Sequence, residues 1–430
     1  MFFGFNTIAS KENGGLKELR SFKKRIIAHI DMDSFFSSCE EVCDPMLKQR
    51  PLLICGRHKR GVVVAANYLA KQYDAIHIGM SANKAQQICP EAIFLVGDLD
   101  KYIWFSQRIN DIARDYSPHI EPYSIDELFL DLTGVISTDK MESYGKSLKS
   151  KIYNELKIPS TIGFGPNRYV AKMACRLGKP NGLLVLDETS YRKAYWNSPV
   201  DALWGLGPRG KTSLNRLGIE TVEELARYPV EALKTIYGKR GQCYHDMAWG
   251  QDDSEVGKYN NRPNISYGHS YTLEKDSRHP DIMRAILFRL CDKCSSRMRR
   301  DGFLGKTIHV SYETEYGQWG GHQVTLEVAT QSDVDIFAVC WRELQTYQLT
   351  VPIRRLAMRV SHLISSRREM ELPLFDVEGE QAQQRTLSSI DLIRDKFGEN
   401  SIMRASNLMG FKALKSINFQ TARRFQSSIE

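Results

Sequence analysis

The stretch Ile26-Ile27-Ala28-His29-Ile30-Asp31-Met32-Asp33-Ser34-Phe35-Phe36 constrains this chain more than any other. It is an apolar strand that ends in two carboxylates and then opens into an aromatic pair. Like charges at the end of a buried strand are costly unless a cation neutralises them, and a hard divalent metal with oxygen ligands does so most cheaply. The blander reading is a strand followed by a helix, with Asp33 as the N-cap and Phe35, Phe36, Cys39 and Val42 or Cys43 at helical spacing. The metal reading requires more acid elsewhere.

That acid is in Tyr123-Ser124-Ile125-Asp126-Glu127-Leu128-Phe129-Leu130-Asp131, where an alternating strand reaches an Asp-Glu pair and a second apolar segment leaves it. The pattern predicts a hairpin with acid at its bend or along one strand. Neighbours on a regular strand face opposite sides, so both carboxylates serve one site only if the backbone twists or bulges there. With that condition met, Asp31, Asp126 and Glu127 can hold two ions about 3.5–4 Å apart, the arrangement that serves in-line phosphoryl displacement.

The DMDSFF stretch, Ala65-Ala66-Asn67-Tyr68, the SIDE run at 124–127, and Val170-Ala171-Lys172 followed by Lys179-Pro180-Asn181-Gly182 occur in the order and at about the spacings of the Y-family (translesion) DNA polymerases. From roughly residue 24 to 376 the chain resembles that family, in its UmuC/DinB-like part. The resemblance implies an α/β multi-domain, right-hand polymerase. Its palm, of βαβ type, spans 24–35 and 98–182, with small fingers at 36–97. A helical helix-hairpin-helix thumb covers 183–255, a linker 256–264 and an α+β little finger 265–369. Residues 1–23 form an N-terminal extension and 370–430 a C-terminal tail. The implied activity is template-directed, low-fidelity translesion synthesis in DNA repair and SOS-type damage tolerance.

Residue roles follow from the same resemblance. Asp31, Asp126 and Glu127 are the catalytic acids and, with the Met32 main-chain carbonyl, hold two Mg²⁺ ions, for which Mn²⁺ can substitute. Phe35 and Phe36 belong to the nucleotide site. Phe36 is the steric gate beneath the incoming sugar, while helical geometry turns Phe35 toward the core; without the family both read as core residues. Tyr68, Lys71 and Lys172 touch the triphosphate. Lys71 stands where most relatives carry arginine, and an ammonium keeps the charge but loses the planar fork.

At 430 residues, with 42% hydrophobic and 26% charged residues, the chain has apolar mass for about three domains. No apolar run approaches the roughly 20 residues of a membrane span, and the start lacks the pattern of a signal peptide. Nine scattered cysteines point to a reducing compartment, so the expected location is the cytoplasm. A net charge of +8 suits a polyanionic partner.

Gly205-Leu206-Gly207-Pro208-Arg209-Gly210 matches a dinucleotide fingerprint in letters only, because no strand-turn-helix βαβ unit surrounds it. It reads better as a helix-hairpin-helix. Gly205 and Gly207 then let backbone N–H groups meet a DNA phosphate, and Arg209 and Lys211 add charge. Thr221 to Glu224 is a capping box. Beyond the linker the order is strand, helix, two strands, helix, strand. Apolar residues alternate in Ile308, Val310 and Tyr312, in Val324, Leu326 and Val328, and in Leu356, Met358 and Val360. The leftover face of the last strand carries Arg355 and Arg359, and the resemblance to the family's little finger implies that this face lies against duplex DNA. Cys291 and Cys294 lie on the apolar stripe of a helix, which makes them core rather than a zinc half-site.

In the tail, Glu371-Leu372-Pro373-Leu374-Phe375 resembles a sliding-clamp peptide whose anchors are Leu372, Leu374 and Phe375. An amphipathic helix follows, marked by Ile390, Ile393 and Phe397, and this region resembles the C-terminus of the Gram-positive UmuC-like branch. Expected partners are primer-template DNA, deoxynucleoside triphosphates, the clamp and SOS accessory proteins, and no membrane. Two other classes share part of the pattern. A palm-domain nucleotidyl cyclase would need neither hairpin nor basic sheet, and a clamp-bound scaffold would not need intact acids.

Overall fold

The computed structural model describes residues 25–56, 60–257, 264–347, 350–366, 377–398 and 401–403. Its strands, in chain order, are β1 (Ile27–Met32), β2 (Leu52–Cys55), β3 (Val63–Ala66), β4 (Ile93–Val96), β5 (His119–Pro122), β6 (Glu127–Asp131), β7 (Ser160–Gly165), β8 (Leu183–Val185), β9 (Ser266–Ser277), β10 (Phe303–Thr314), β11 (Trp319–Thr330) and β12 (Ile353–Ser365). The chain divides into two compact units, Met1–Pro45 with Asp100–Asn260, and Met46–Leu99 with Asn261–Glu430.

The first unit is built on a five-stranded sheet in the order β5-β6-β1-β7-β8. The apolar run that opens the chain's pattern takes the central place, β1, and is buried along its whole length. It pairs antiparallel with β6 and β7, while β7 and β8 are parallel. Register puts Ile27, His29 and Asp31 opposite Gly165, Gly163 and Thr161, so these residues share one face. The helix Arg168–Gly178 lies on that face. It can approach so closely because β7 carries glycines there: a Cβ on Gly163 would run into the backbone of Ala171 and Cys175. Its start is fixed by Asn167, whose side chain accepts the Val170 N–H at 2.8 Å.

The same unit continues into a helical segment with its own core of Tyr191, Val200, Leu203, Leu214, Ile219, Val222 and Leu225. Two helix starts there follow glycines: Gly207 precedes Pro208–Asn215, and Gly238, at φ 61°, separates Val230–Tyr237 from Lys239–Trp249. The capping box at Thr221 and Glu224 forms as expected.

The second unit holds a small sheet, β3-β2-β4, and a larger antiparallel one, β11-β10-β12-β9. Helices Pro280–Arg300 and Asp333–Gln345 cover one face of the larger sheet. Ile308, Val310, Leu356, Met358 and Val360 point into that core together with Cys291 and Cys294, each fully buried, so the CxxC is packing. Alternation fails on β11. A register shift separates the Gly305–Thr330 and Thr307–Thr325 pairings, which turns Ala329 inward and leaves Val328 75% exposed.

In the loop between β2 and β3, Arg60 forms an ion pair with Asp276 at 2.5 Å, a carboxylate that Arg354 also holds. A helix forms in the tail, Val377–Phe397, and on it Ile393 and Phe397 are exposed, Phe397 at 67%. It is held to the helix Pro280–Arg300 by Asp391 with Arg299 and by Arg394 with Asp292, and Leu387 is buried. Charge pairing across two polar helix faces has no apolar periodicity to betray it. The clamp-like residues Leu372, Leu374 and Phe375 lie outside the described residues.

Candidate active site

The acid cluster forms where β1 and β6 end side by side. Asp31 and Glu127 are register partners, and the Met32 N–H donates to the Asp126 carbonyl at 2.9 Å. Asp126 sits in the bend before β6 and Glu127 is the first strand residue, and the Glu127 charge adds to the upward shift of the Asp126 carboxyl. Ser124 Oγ donates to Asp126 Oδ1 at 2.6 Å and fixes that carboxylate.

Burial pushes the Asp31 carboxyl up to about 7, with Lys179 opposing the shift and a hydrogen bond to Glu127 adding to it. Burial raises Asp126 too, against its bond from Ser124. Two carboxyls pushed toward neutrality by burial, beside a third, want cations. Two ammonium groups answer. Lys179 Nζ lies 2.5 Å from Asp31 Oδ1, and Lys172 Nζ lies 2.7 Å from Glu127 Oε1. Lys172 is further packed against the rings of Tyr123 and Trp204, at 4.8 and 5.1 Å, and stands 3.4 Å from His29 Nε2. His29 is held well below the usual imidazole range, first by burial and then by Lys172, so it accepts from the ammonium as a neutral ring.

As they stand, no three His, Cys, Asp or Glu side chains among the described residues close into a metal cage. The donor chemistry nevertheless fits a hard divalent ion: three carboxylates at one strand junction, two of them penalised in charged form, balanced by lysines that supply positive charge.

Lys179 is the site residue that sequence reasoning missed. It belongs to the Lys179-Pro180-Asn181-Gly182 run, which served only as a family marker, and it reaches Asp31 because the chain returns past β1 after the helix Arg168–Gly178. Asp33 moves the other way. It does not cap the following helix: Ser34 is the N-cap, at φ 49° and without a side-chain cap bond. Asp33 is instead fully buried and accepts from Thr161 Oγ1 at 2.9 and 3.1 Å and from the Asn181 N–H at 2.8 Å. It braces the turn that carries the site and is no ligand.

Phe35 is 3% exposed, in the core, whereas Phe36 is only partly buried. In the second unit, Asn67 caps the turn Tyr68–Lys71, and Lys71 Nζ sits 4.6 Å from the ring centre of Tyr68, which puts hydroxyl and cation on one face. In the helical segment, Gly205, Gly207, Arg209, Lys239, Arg240 and Tyr244 line one groove between the two glycine-led helix starts. Lys211 is tied to Asp201 at 3.0 Å, while Arg209 is exposed. On β12, Arg359 is exposed and Arg355 bonds Thr272 and stands 5.7 Å from the Trp319 ring centre.

Two models described as the impB/mucB/samB family and its C-terminal domain match residues 30–176 and 265–373. The chain is 34% identical over 391 residues to a DNA polymerase IV of Moorella thermoacetica, covering 88% of this chain and 95% of that one. It is 34% identical over 398 residues to DNA polymerase IV 2 of Bacillus subtilis, covering 90% and 95%. Among solved structures, a Y-family DNA polymerase chimera of Dbh superposes with a TM-score of 0.70 at 27% identity, over 79% of this chain and 99% of that one. An insertion ternary complex of Dbh DNA polymerase gives 0.55 at 26% identity, with the same coverage.

Proposed function

The chain belongs to the Y family of DNA polymerases and is a DNA-directed DNA polymerase of the translesion type, and from that premise we propose how its residues perform the reaction. Asp31, Asp126 and Glu127, with the Met32 carbonyl, would hold two Mg²⁺ ions, and such ions would supply a lowered pKa at the primer hydroxyl and stabilisation of the departing pyrophosphate. The observation that carries this reading is the pairing of Asp31 with Lys179 and of Glu127 with Lys172 at one strand junction, with carboxylates and counter-charges already opposed.

In this reading the lysines neutralise the acids in the unliganded enzyme and offer their charge to the triphosphate in the loaded one. Tyr68 and Lys71 add a hydroxyl and a second cation to the triphosphate. Phe36 meets the sugar and excludes a 2′-hydroxyl by volume. Primer-template DNA is gripped by the glycine-led helix starts at Gly207 and Gly238, with Arg209 and Lys239 for phosphates, and by the sheet face bearing Arg355 and Arg359. The enzyme acts in SOS-type damage tolerance, docks on a sliding clamp through Leu372, Leu374 and Phe375, and works with SOS accessory proteins. A nucleotidyl cyclase would not require likeness through the thumb and little finger, yet the relatives match over that whole length.

Primer extension on undamaged and abasic templates with Mg²⁺ tests the reading. The doubly substituted Asp126→Ala, Glu127→Ala enzyme is expected to bind primer-template and extend nothing. Extension that survives the double substitution would remove the acids from the mechanism.

A further inference from the structure

Behind Phe36 stands a buried polar arrangement that the reaction does not use. The Phe36 ring lies flat against Tyr102, with centroids 4.2 Å apart and planes within 12°. Tyr102 comes from the helix Leu99–Arg114 and is 2% exposed. Its hydroxyl donates to Glu40 Oε1 at 2.7 Å, and Lys101 Nζ donates to Glu40 Oε2 at 2.6 Å. Glu40 is itself only 7% exposed and lies one turn beyond Phe36 on the same helix, Phe35–Cys43. One helix thus carries both an aromatic ring and the anchor for the residue that backs it.

We propose that Tyr102 is the positioning residue for sugar discrimination: it holds the Phe36 ring in one orientation, and Glu40 with Lys101 holds Tyr102. The inference rests on Phe36 being the sugar gate. A gate that works by volume excludes a 2′-hydroxyl only while its ring cannot swing aside, and a Phe at the start of a helix has staggered side-chain wells to swing between. Flat contact with a fully buried ring removes that freedom on one side. A buried carboxylate is a poor way to fill space, being tolerated only when its oxygens are paired. Glu40 spends one oxygen on Tyr102 and the other on Lys101, which makes it an orienting group.

The test measures kcat/KM for each deoxynucleotide and its ribonucleotide on one primer-template, for the unaltered enzyme and for Phe36→Ala, Tyr102→Leu, Tyr102→Phe and Glu40→Gln. Tyr102→Leu is expected to lower the deoxy-to-ribo ratio by about 3- to 10-fold, the factor that loss of an aromatic pair converts to, through a gain in ribonucleotide use. Tyr102→Phe and Glu40→Gln, which keep volume and lose the anchor, are expected to lower it by about 2- to 3-fold and carry the test if the Leu variant does not fold. An unchanged ratio in these variants, or an equal fall for both sugars, overturns the role of Tyr102 while a relaxed Phe36→Ala enzyme leaves the gate standing. An unchanged ratio in Phe36→Ala overturns the gate itself, and this inference with it.

Discussion

Two residues show how differently acids can be read from the same short segment. Asp31 and Asp33 are two positions apart on β1 and the turn after it, yet one faces lysine at the strand junction and the other is locked in protein. Asp33 passes for an N-cap because Asp is favoured there and the helix follows at once. What claims it is Thr161 and Asn181, more than a hundred residues away in sequence, and no local pattern reports such partners. Lys179 was hidden for the same reason. Its ammonium forms a close ion pair with the buried carboxylate of Asp31, and breaking a buried pair by removing one partner costs about 3 kcal/mol or more. Lys179→Ala is therefore expected to reduce kcat/KM for deoxynucleotides by about 10- to 100-fold. Single-nucleotide insertion kinetics check this, and a change under twofold would confine Lys179 to a structural role.

At the scale of elements, the central strand depends on how its end is tied down. The carboxylate of Asp33 gathers the Thr161 hydroxyl of the neighbouring stretch and the Asn181 N–H of the returning chain, so three segments meet at one buried anion. Asp33→Ala would leave the buried Thr161 hydroxyl without its acceptor and free the Asn181 N–H, at an expected cost of about 1–3 kcal/mol to the unit that contains them. Asp33→Asn, whose amide oxygen still accepts, should recover part of it. Urea unfolding followed by tryptophan fluorescence reads both, and an Ala variant as stable as the parent would show that the turn is held by other contacts. Glycines matter on this scale too: Gly163 is needed because the helix Arg168–Gly178 presses its backbone against β7, which brings Lys172 within reach of Glu127. A sequence reader sees a glycine in a strand and cannot tell close approach from a bulge.

For the whole molecule, the relevant property is distributed positive charge. The chain carries +8, and the groove lined by Gly207, Arg209 and Lys239 and the outer face of β12 both present arginine or lysine. Electrostatic grip on DNA releases counterions in proportion to the phosphates neutralised. Replacing Arg359 by Ala is expected to weaken primer-template binding alike on all sequences and to reduce the slope of log affinity against log salt by about 1. Fluorescence anisotropy across a salt series measures it, and an unaltered slope would take Arg359 out of the DNA contact.

By itself the sequence determined the strand–helix order beyond the linker, the alternation on β10 and β12, the Thr221 capping box, the core place of Cys291 and Cys294, and the family. These are local or ordered along the chain, so hydrophobic spacing and short motifs carry them. Only the tertiary structure decided which charges face each other: Lys179 on Asp31, Lys172 on Glu127, Glu40 under Tyr102, Arg60 on Asp276, and Arg394 on Asp292. Charged side chains obey no periodicity that marks them as partners, and their pairing is fixed by the approach of segments remote in sequence, which burial of the apolar faces brings about.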